Sequence, residues 1–152
     1  KVAITWAKRN AEASGLAHKP IRWILDDARA FLRREAKRGN KYDGIIMDPP
    51  AFGHGPDGEL WKIEEHLLGL FAACRAVLSE RPLFFLVNGY ASGYSAIAYE
   101  NNLSHLTGSA SGGQLTASGF GGNIEIGELT IRESGTDGRL LPCGIFARWQ
   151  SL

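Results

Sequence analysis

A four-residue run that is apolar on both faces, Gly44-Ile45-Ile46-Met47, is cut off abruptly by Asp48-Pro49-Pro50. A short strand without polar alternation suits the middle of a parallel sheet, where both faces are covered. Each proline forces the residue before it out of the helical region, so Asp48 and Pro49 are both held extended. Neither proline has an N–H. The strand end therefore presents a carboxylate and a run of backbone carbonyls, a set of acceptors. Such a set grips a donor, above all an NH2 group, because two acceptors can hold both protons while the nitrogen lone pair points elsewhere. Ligands of open α/β sheets bind at the carboxyl ends of strands, and a glycine-rich loop with an aromatic, Ala51-Phe52-Gly53-His54-Gly55, follows the motif. In that context a binding role outweighs a simple strand stop.

The flanking periodicity predicts an α/β fold. Val2 to Ser14 reads as a helix ended by Gly15, and Ile21 to Leu25 as a short β-rich strand. Asp27 is placed to cap a helix carrying Ala28, Phe31, Leu32 and Ala36 on one stripe, with Gly39-Asn40 as its stop. After the Gly44 strand come a helix from Glu59 to Leu78 and a buried strand from Leu83 to Val87. This alternation implies right-handed crossovers and a Rossmann-like, doubly wound sheet with helices on both faces. From Leu83 to Ile124 the only charged residue is Glu100. Ser95 to Leu106 reads as a helix, residues 107–122 as a flexible Gly/Ser-rich connection, and Ile124 to Arg132 with Gly144 to Trp149 as an antiparallel pair finishing the sheet.

Composition excludes several classes. A chain of 152 residues, 44% hydrophobic and 22% charged, makes one core-bearing domain rather than a disordered tail. The formal charge of +1 provides no global field for a polyanion, so contact with nucleic acid has to be local. The basic cluster Arg33, Arg34, Lys37, Arg38 and Lys41 could touch phosphate, but it equally suits the negative end of a helix dipole. Cys74 and Cys143 lie in apolar surroundings without paired spacing, as free thiols in a reducing cytoplasm do. No apolar run is long enough to span a membrane, and His18, His54, His66 and His105 show no metal spacing. Nucleotide hydrolysis and hydride transfer lack their glycine-rich signatures.

The Asp48-Pro49-Pro50-Ala51-Phe52 segment, with Trp6 to Asn10, Gly15-Leu16 and Asp26-Asp27-Ala28, resembles the class I S-adenosylmethionine-dependent methyltransferases. Their amino-methylating branches carry an Asp/Asn-Pro-Pro-aromatic motif after the fourth strand. The wider context looks most like the large-subunit ribosomal RNA methyltransferases of the RlmI and RlmK type. The resemblance implies S-adenosyl-L-methionine as cofactor and RNA, rRNA-like, as substrate, with neither a metal nor a membrane involved. It implies that Asp27 accepts from the adenine amino group, that the Ala28 N–H faces the ring, and that Asp26 faces the ribose or solvent. Asp48, Pro49 and Pro50 would orient the target amine, Asp48 also bordering the cofactor, and Phe52 would stack on the flat substrate one position later than in the commoner pattern. Tyr90 and Ser92 would line the substrate pocket.

Two departures from that pattern shape the expectation. The family's glycine-rich loop and ribose-holding acid precede the segments seen here, so the chain is expected to be the C-terminal part of one catalytic domain, inactive alone. Ala91 stands where ring-carbon methylases of the RlmI kind place a nucleophilic cysteine, which favours nitrogen as the target. The alternatives are methylation of a carbon or of a protein or small-molecule amine, and a non-catalytic RNA-binding or interaction domain that keeps the fold.

Overall fold

The structure, a computed structural model, describes residues 2–55, 58–90, 93–108, 120–135 and 137–152. Helix α1, Val2–Ala13, ends at Gly15, whose φ of 69° only glycine adopts without strain. Helix α2, Ala28–Arg38, begins as the sequence predicts: the Asp27 carboxylate accepts from the Ala30 N–H at 2.8 Å. It ends at Gly39, in the left-handed conformation, whose N–H reaches back to the last-turn carbonyls.

Between these helices the structure corrects one expectation. Ile21 to Leu25 is not a strand, and Leu25 is 66% exposed. A strand requires a hydrogen-bonded neighbour, and among the described residues this segment has only the local Ile21 N–H to Lys19 carbonyl bond.

The main sheet has four strands in the order β1-β4-β6-β5, where β1 is Gly44–Met47, β4 Phe84–Gly89, β5 Asn123–Arg132 and β6 Leu140–Gln150. β1 runs parallel to β4, whereas β4–β6 and β5–β6 are antiparallel, so the expected closing hairpin is present. β1, expected in the middle, lies at the edge, and Ile46 is 67% exposed. Gly44 permits the close approach of β1 to β4, because a Cβ there would stand 2.6 Å from the Phe84 ring.

A second correction falls just after the prolines. The segment expected to be loop and helix start forms a two-stranded hairpin, β2 Phe52–His54 with β3 Leu60–Lys62. Helix α3 consequently begins only at Ile63 and runs to Val77. Gly58, at φ 84°, donates its N–H to the Gly55 carbonyl within the turn.

Alternation in β4 sends Phe85 and Val87 to one face, opposite Trp149 and Ala147 of β6, and all four are fully buried. α3 covers this face with Leu67, Phe71 and Cys74, the Phe71 ring meeting Phe85 edge-on at 5.4 Å. Helix α4, Ala96–Thr107, capped by the Ser95 hydroxyl, adds Tyr99, Leu103 and Leu106. α2 packs on α3 through Leu32. The opposite face, bearing Phe84, Leu86 and Arg148, lines a shallow cleft. Of the expected flexible connection, residues 109–119 lie outside the described residues. Among the described residues no helix is long and apolar enough to cross a membrane.

Glu35 is a buried carboxylate on α2 itself. It accepts from Tyr42 Oη, from Asn40 Nδ2 at 2.8 Å and from Arg38 at 2.9 Å. These bonds, the Tyr42 hydroxyl first, stabilise the charged form and pull its pKa down from 4.5 to about 2. The cluster ties the end of α2 to the residue that leads into β1.

Candidate functional site

A cleft of about 410 Å³ opens at the carboxyl end of β1. Its walls are the start of α2 (Asp27, Ala28 and Arg29), the strand end with Asp48, Pro49 and Pro50, and the β2–β3 hairpin with His54 and Trp61. Two segments about twenty residues apart in sequence, both expected to carry chemistry, are thus brought to one cavity. The reason is topological: α2 precedes β1, so its N-terminus comes to the sheet edge where β1 ends.

The two sides differ in chemistry. On the helix side, Asp27 spends Oδ1 on capping the Ala30 N–H, while Oδ2 keeps a loose pairing with Arg29 Nε at 3.9 Å. The first-turn N–H groups, Ala28 among them, have no intrahelical partner by geometry. An acceptor therefore stands next to a donor. On the strand side, Asp48 is exposed and Pro49 buried, and the prolines contribute carbonyls but no N–H.

Not every expected residue reaches this cleft. Asp26 turns away and pairs with Arg34 across the outer surface of α2. Phe52 points outward from β2, 58% exposed, with its ring edge-on to His54 at 5.3 Å. Phe52 pairs with Lys62 at the end of the hairpin away from its turn, whereas Gly53, His54 and Gly55 line the cleft with Trp61. Tyr90 is 75% exposed and lines a separate cleft with Tyr94 and Glu128, beyond the end of β4. Ser92 and Ala91 lie outside the described residues.

Trp61, unforeseen in the sequence, is central to the site. Its indole N–H donates to the Pro50 carbonyl at 2.6 Å. The ring is stacked on His66 with centroids 5.4 Å apart, and the Arg29 guanidinium stands 5.7 Å from its centroid. One side chain thus links α2, the proline segment and α3. The signal was the Pro-Asp-Gly turn before Leu60-Trp61-Lys62, which marks a hairpin more than a helix start. Neither cysteine borders the cleft. Burial pushes the Cys74 thiol up to about 12, and Cys143 donates its S–H to the Leu141 carbonyl in β6.

No protein-family model matches the chain. Ribosomal RNA large subunit methyltransferase I of Klebsiella pneumoniae is 38% identical over 50 residues, 33% of this chain and 12% of that protein. Ribosomal RNA large subunit methyltransferase K of Neisseria meningitidis is 28% identical over 87 residues, 56% of this chain and 25% of that protein. The crystal structure of a SAM-dependent methyltransferase from Agrobacterium tumefaciens superposes on all of this chain with a TM-score of 0.82 and 38% identity, the chain covering 47% of it. A SAM-dependent methyltransferase from Streptococcus mutans, 13% identical, shares the fold at a TM-score of 0.60 over 95% of this chain and 35% of its own. The chain thus spans less than half the length of the relatives it matches. The α/β sheet finished by an antiparallel hairpin, and the superposition of the whole of this chain at 38% identity, make it similar to the S-adenosylmethionine-dependent methyltransferases over about half of their length, and its curated relatives are of the RlmI and RlmK type.

Proposed function

We propose that this chain carries the adenine and target-amine sides of an S-adenosylmethionine-dependent methyltransferase acting on a nitrogen of RNA, with an rRNA-like substrate. The observation that carries the reading is the single cleft that joins the Asp27–Ala28 turn to the Asp48–Pro50 strand end. The donor set fits the cofactor: adenine offers an amino donor beside a ring-nitrogen acceptor, and the wall presents the Asp27 carboxylate beside a helix-start N–H. Asp27 and Ala28 would hold the adenine, with Asp48 bordering it. When bound, S-adenosylmethionine supplies an electrophilic methyl on a good leaving group.

The chain's own residues then have little acid or base work to do. Asp48 and the Pro49 carbonyl accept the two N–H bonds of the target amine and aim its lone pair, and positioning of this kind supplies much of a transfer's acceleration. The exposure of Asp48 leaves a water path for the proton that the methylated nitrogen sheds. The exposed Phe52 ring and Tyr90 are available to stack on unpaired bases outside the cleft. A nitrogen target accords with a cleft free of thiols among the described residues, because addition at a ring carbon needs a thiolate.

The test is transfer of isotope-labelled methyl from S-adenosylmethionine to total RNA by the full chain, followed by nucleoside mass spectrometry. N-methylated nucleoside, lost in Asp48→Ala, is the expected product. A C-methylated pyrimidine would overturn the nitrogen assignment, and label appearing only in protein would overturn the RNA assignment.

A further inference from the structure

Tyr99 of α4 is fully buried, and among the described residues its hydroxyl has no hydrogen-bond partner. A buried hydroxyl without a partner is costly, so its retention asks for a cause. The surroundings indicate one. The hydroxyl oxygen lies 2.4 Å from the point where a Cβ on Gly89 would stand, and that same point is 3.9 Å from the Pro49 carbonyl oxygen. Gly89 is the last residue of β4, the strand beside β1, so the absence of a side chain there opens a slot from Tyr99 toward the proline segment. The ring is held on its other side by Tyr94, with centroids 5.3 Å apart.

We propose that Tyr99 is a positioning residue for the Pro49 carbonyl: its hydroxyl is idle in the free protein and donates to that carbonyl when the target amine occupies the Asp48–Pro49 site. This rests on the reading of that site as the amine cradle. A carbonyl oxygen has two lone pairs, so one can receive Tyr99 while the other receives the substrate. Catalytic hydrogen bonds commonly tighten only in the substrate complex. The phenol stays a donor, since burial first, then Tyr94 and Asp48, raise its pKa. Tyr99 cannot itself touch substrate, because it is sealed beneath the strand end. Its effect is to fix the direction of an acceptor that must aim a lone pair.

The prediction separates this role from plain packing. In the full chain, Tyr99→Phe keeps the ring and removes only the unpartnered hydroxyl. The melting temperature of the free protein should therefore hold or rise, while kcat falls about tenfold with cofactor affinity unchanged. Gly89→Ala should lower the melting temperature in the Tyr99 background, because its Cβ overlaps the hydroxyl. It should be tolerated in the Tyr99→Phe background, where the nearest ring atom, Cζ, is at an ordinary 3.5 Å. Wild-type kcat in Tyr99→Phe would overturn the proposal, as would a lowered melting temperature with unchanged kcat. Asp48→Ala assayed in parallel shows which idea failed. If Asp48→Ala is slow and Tyr99→Phe is not, only the Tyr99 role falls; if both keep the wild-type rate, the amine cradle falls with it.

Discussion

The indole N–H of Trp61 donates to the carbonyl of Pro50 at 2.6 Å, so the last residue of the Asp-Pro-Pro segment is tied to the hairpin that follows it rather than to the strand that precedes it. Pro49 and Pro50 have no N–H to donate, and a stretch that cannot join a ladder needs another anchor. Trp61 provides it, and because it also meets Arg29 and His66 the anchor reaches both flanking helices.

Trp61→Phe retains a flat apolar wall and removes the donor. A neutral hydrogen bond is worth about 0.5–1.5 kcal/mol, so the stability loss should be of that order. The rate of methyl transfer by the full chain should fall several-fold as the proline segment loosens. Thermal melts together with steady-state kinetics check this; unchanged kinetics would deny the anchor a role in the site.

Asp48 is exposed at a strand end, so its removal should spare the fold. Asp48→Asn keeps one acceptor oxygen, whereas Asp48→Ala leaves only the Pro49 carbonyl. Loss of a charged hydrogen bond, about 1.5–3 kcal/mol, corresponds to at least roughly tenfold in rate, and activity should descend from wild type through Asn to Ala. Cofactor affinity should change less than the rate. Single-turnover methyl transfer and equilibrium binding on the three proteins decide it.

Activity should not depend on cysteine. Cys74 lies in the core beside α3's other buried residues, so Cys74→Ala should cost about 1 kcal/mol in packing, and Cys143→Ala less. Neither should slow transfer. A covalent adduct with RNA containing 5-fluorocytosine, resolved as a shifted band under denaturing conditions, would speak against this.

Glu35 sets an acid limit on the fold. Its pKa is depressed from 4.5 to about 2 by the Tyr42, Asn40 and Arg38 bonds, so between those values the unfolded chain binds more protons than the folded one. Its contribution is therefore fully present above pH 4.5 and is lost as the pH falls toward 2. Glu35→Gln should melt earlier than wild type at pH 7, and the gap should close as melts are taken below pH 4.5. A gap that stays constant across that window would show that the cluster is not the cause.

What the sequence determined by itself are the features whose causes lie within a few residues. Asp27 and Gly39 bracket α2 because capping is a contact with the adjacent turn. Asp48-Pro49-Pro50 ends β1 because two successive prolines have no N–H to donate to a ladder. The alternation of Ile124 to Arg132 announces half of an antiparallel pair before any partner is known. Tertiary structure decided whatever needs a partner from elsewhere in the chain. Ile21 to Leu25 has the residues of a strand, yet strand formation depends on a neighbouring ladder that its own composition cannot supply. Phe52 stays outside the cleft while Gly53 and His54 line it, an outcome set by a hairpin whose pairing with Leu60 to Lys62 only the folded chain provides. Trp61 gained its place because the β2–β3 hairpin folds back on the proline segment and brings an indole N–H to the carbonyl of Pro50, 11 positions upstream, and Tyr99 because α4 packs on the sheet and buries its hydroxyl beside Gly89. Caps, prolines and alternation act along the chain, whereas a cleft is built across it, from side chains whose proximity only the packed sheet and helices establish.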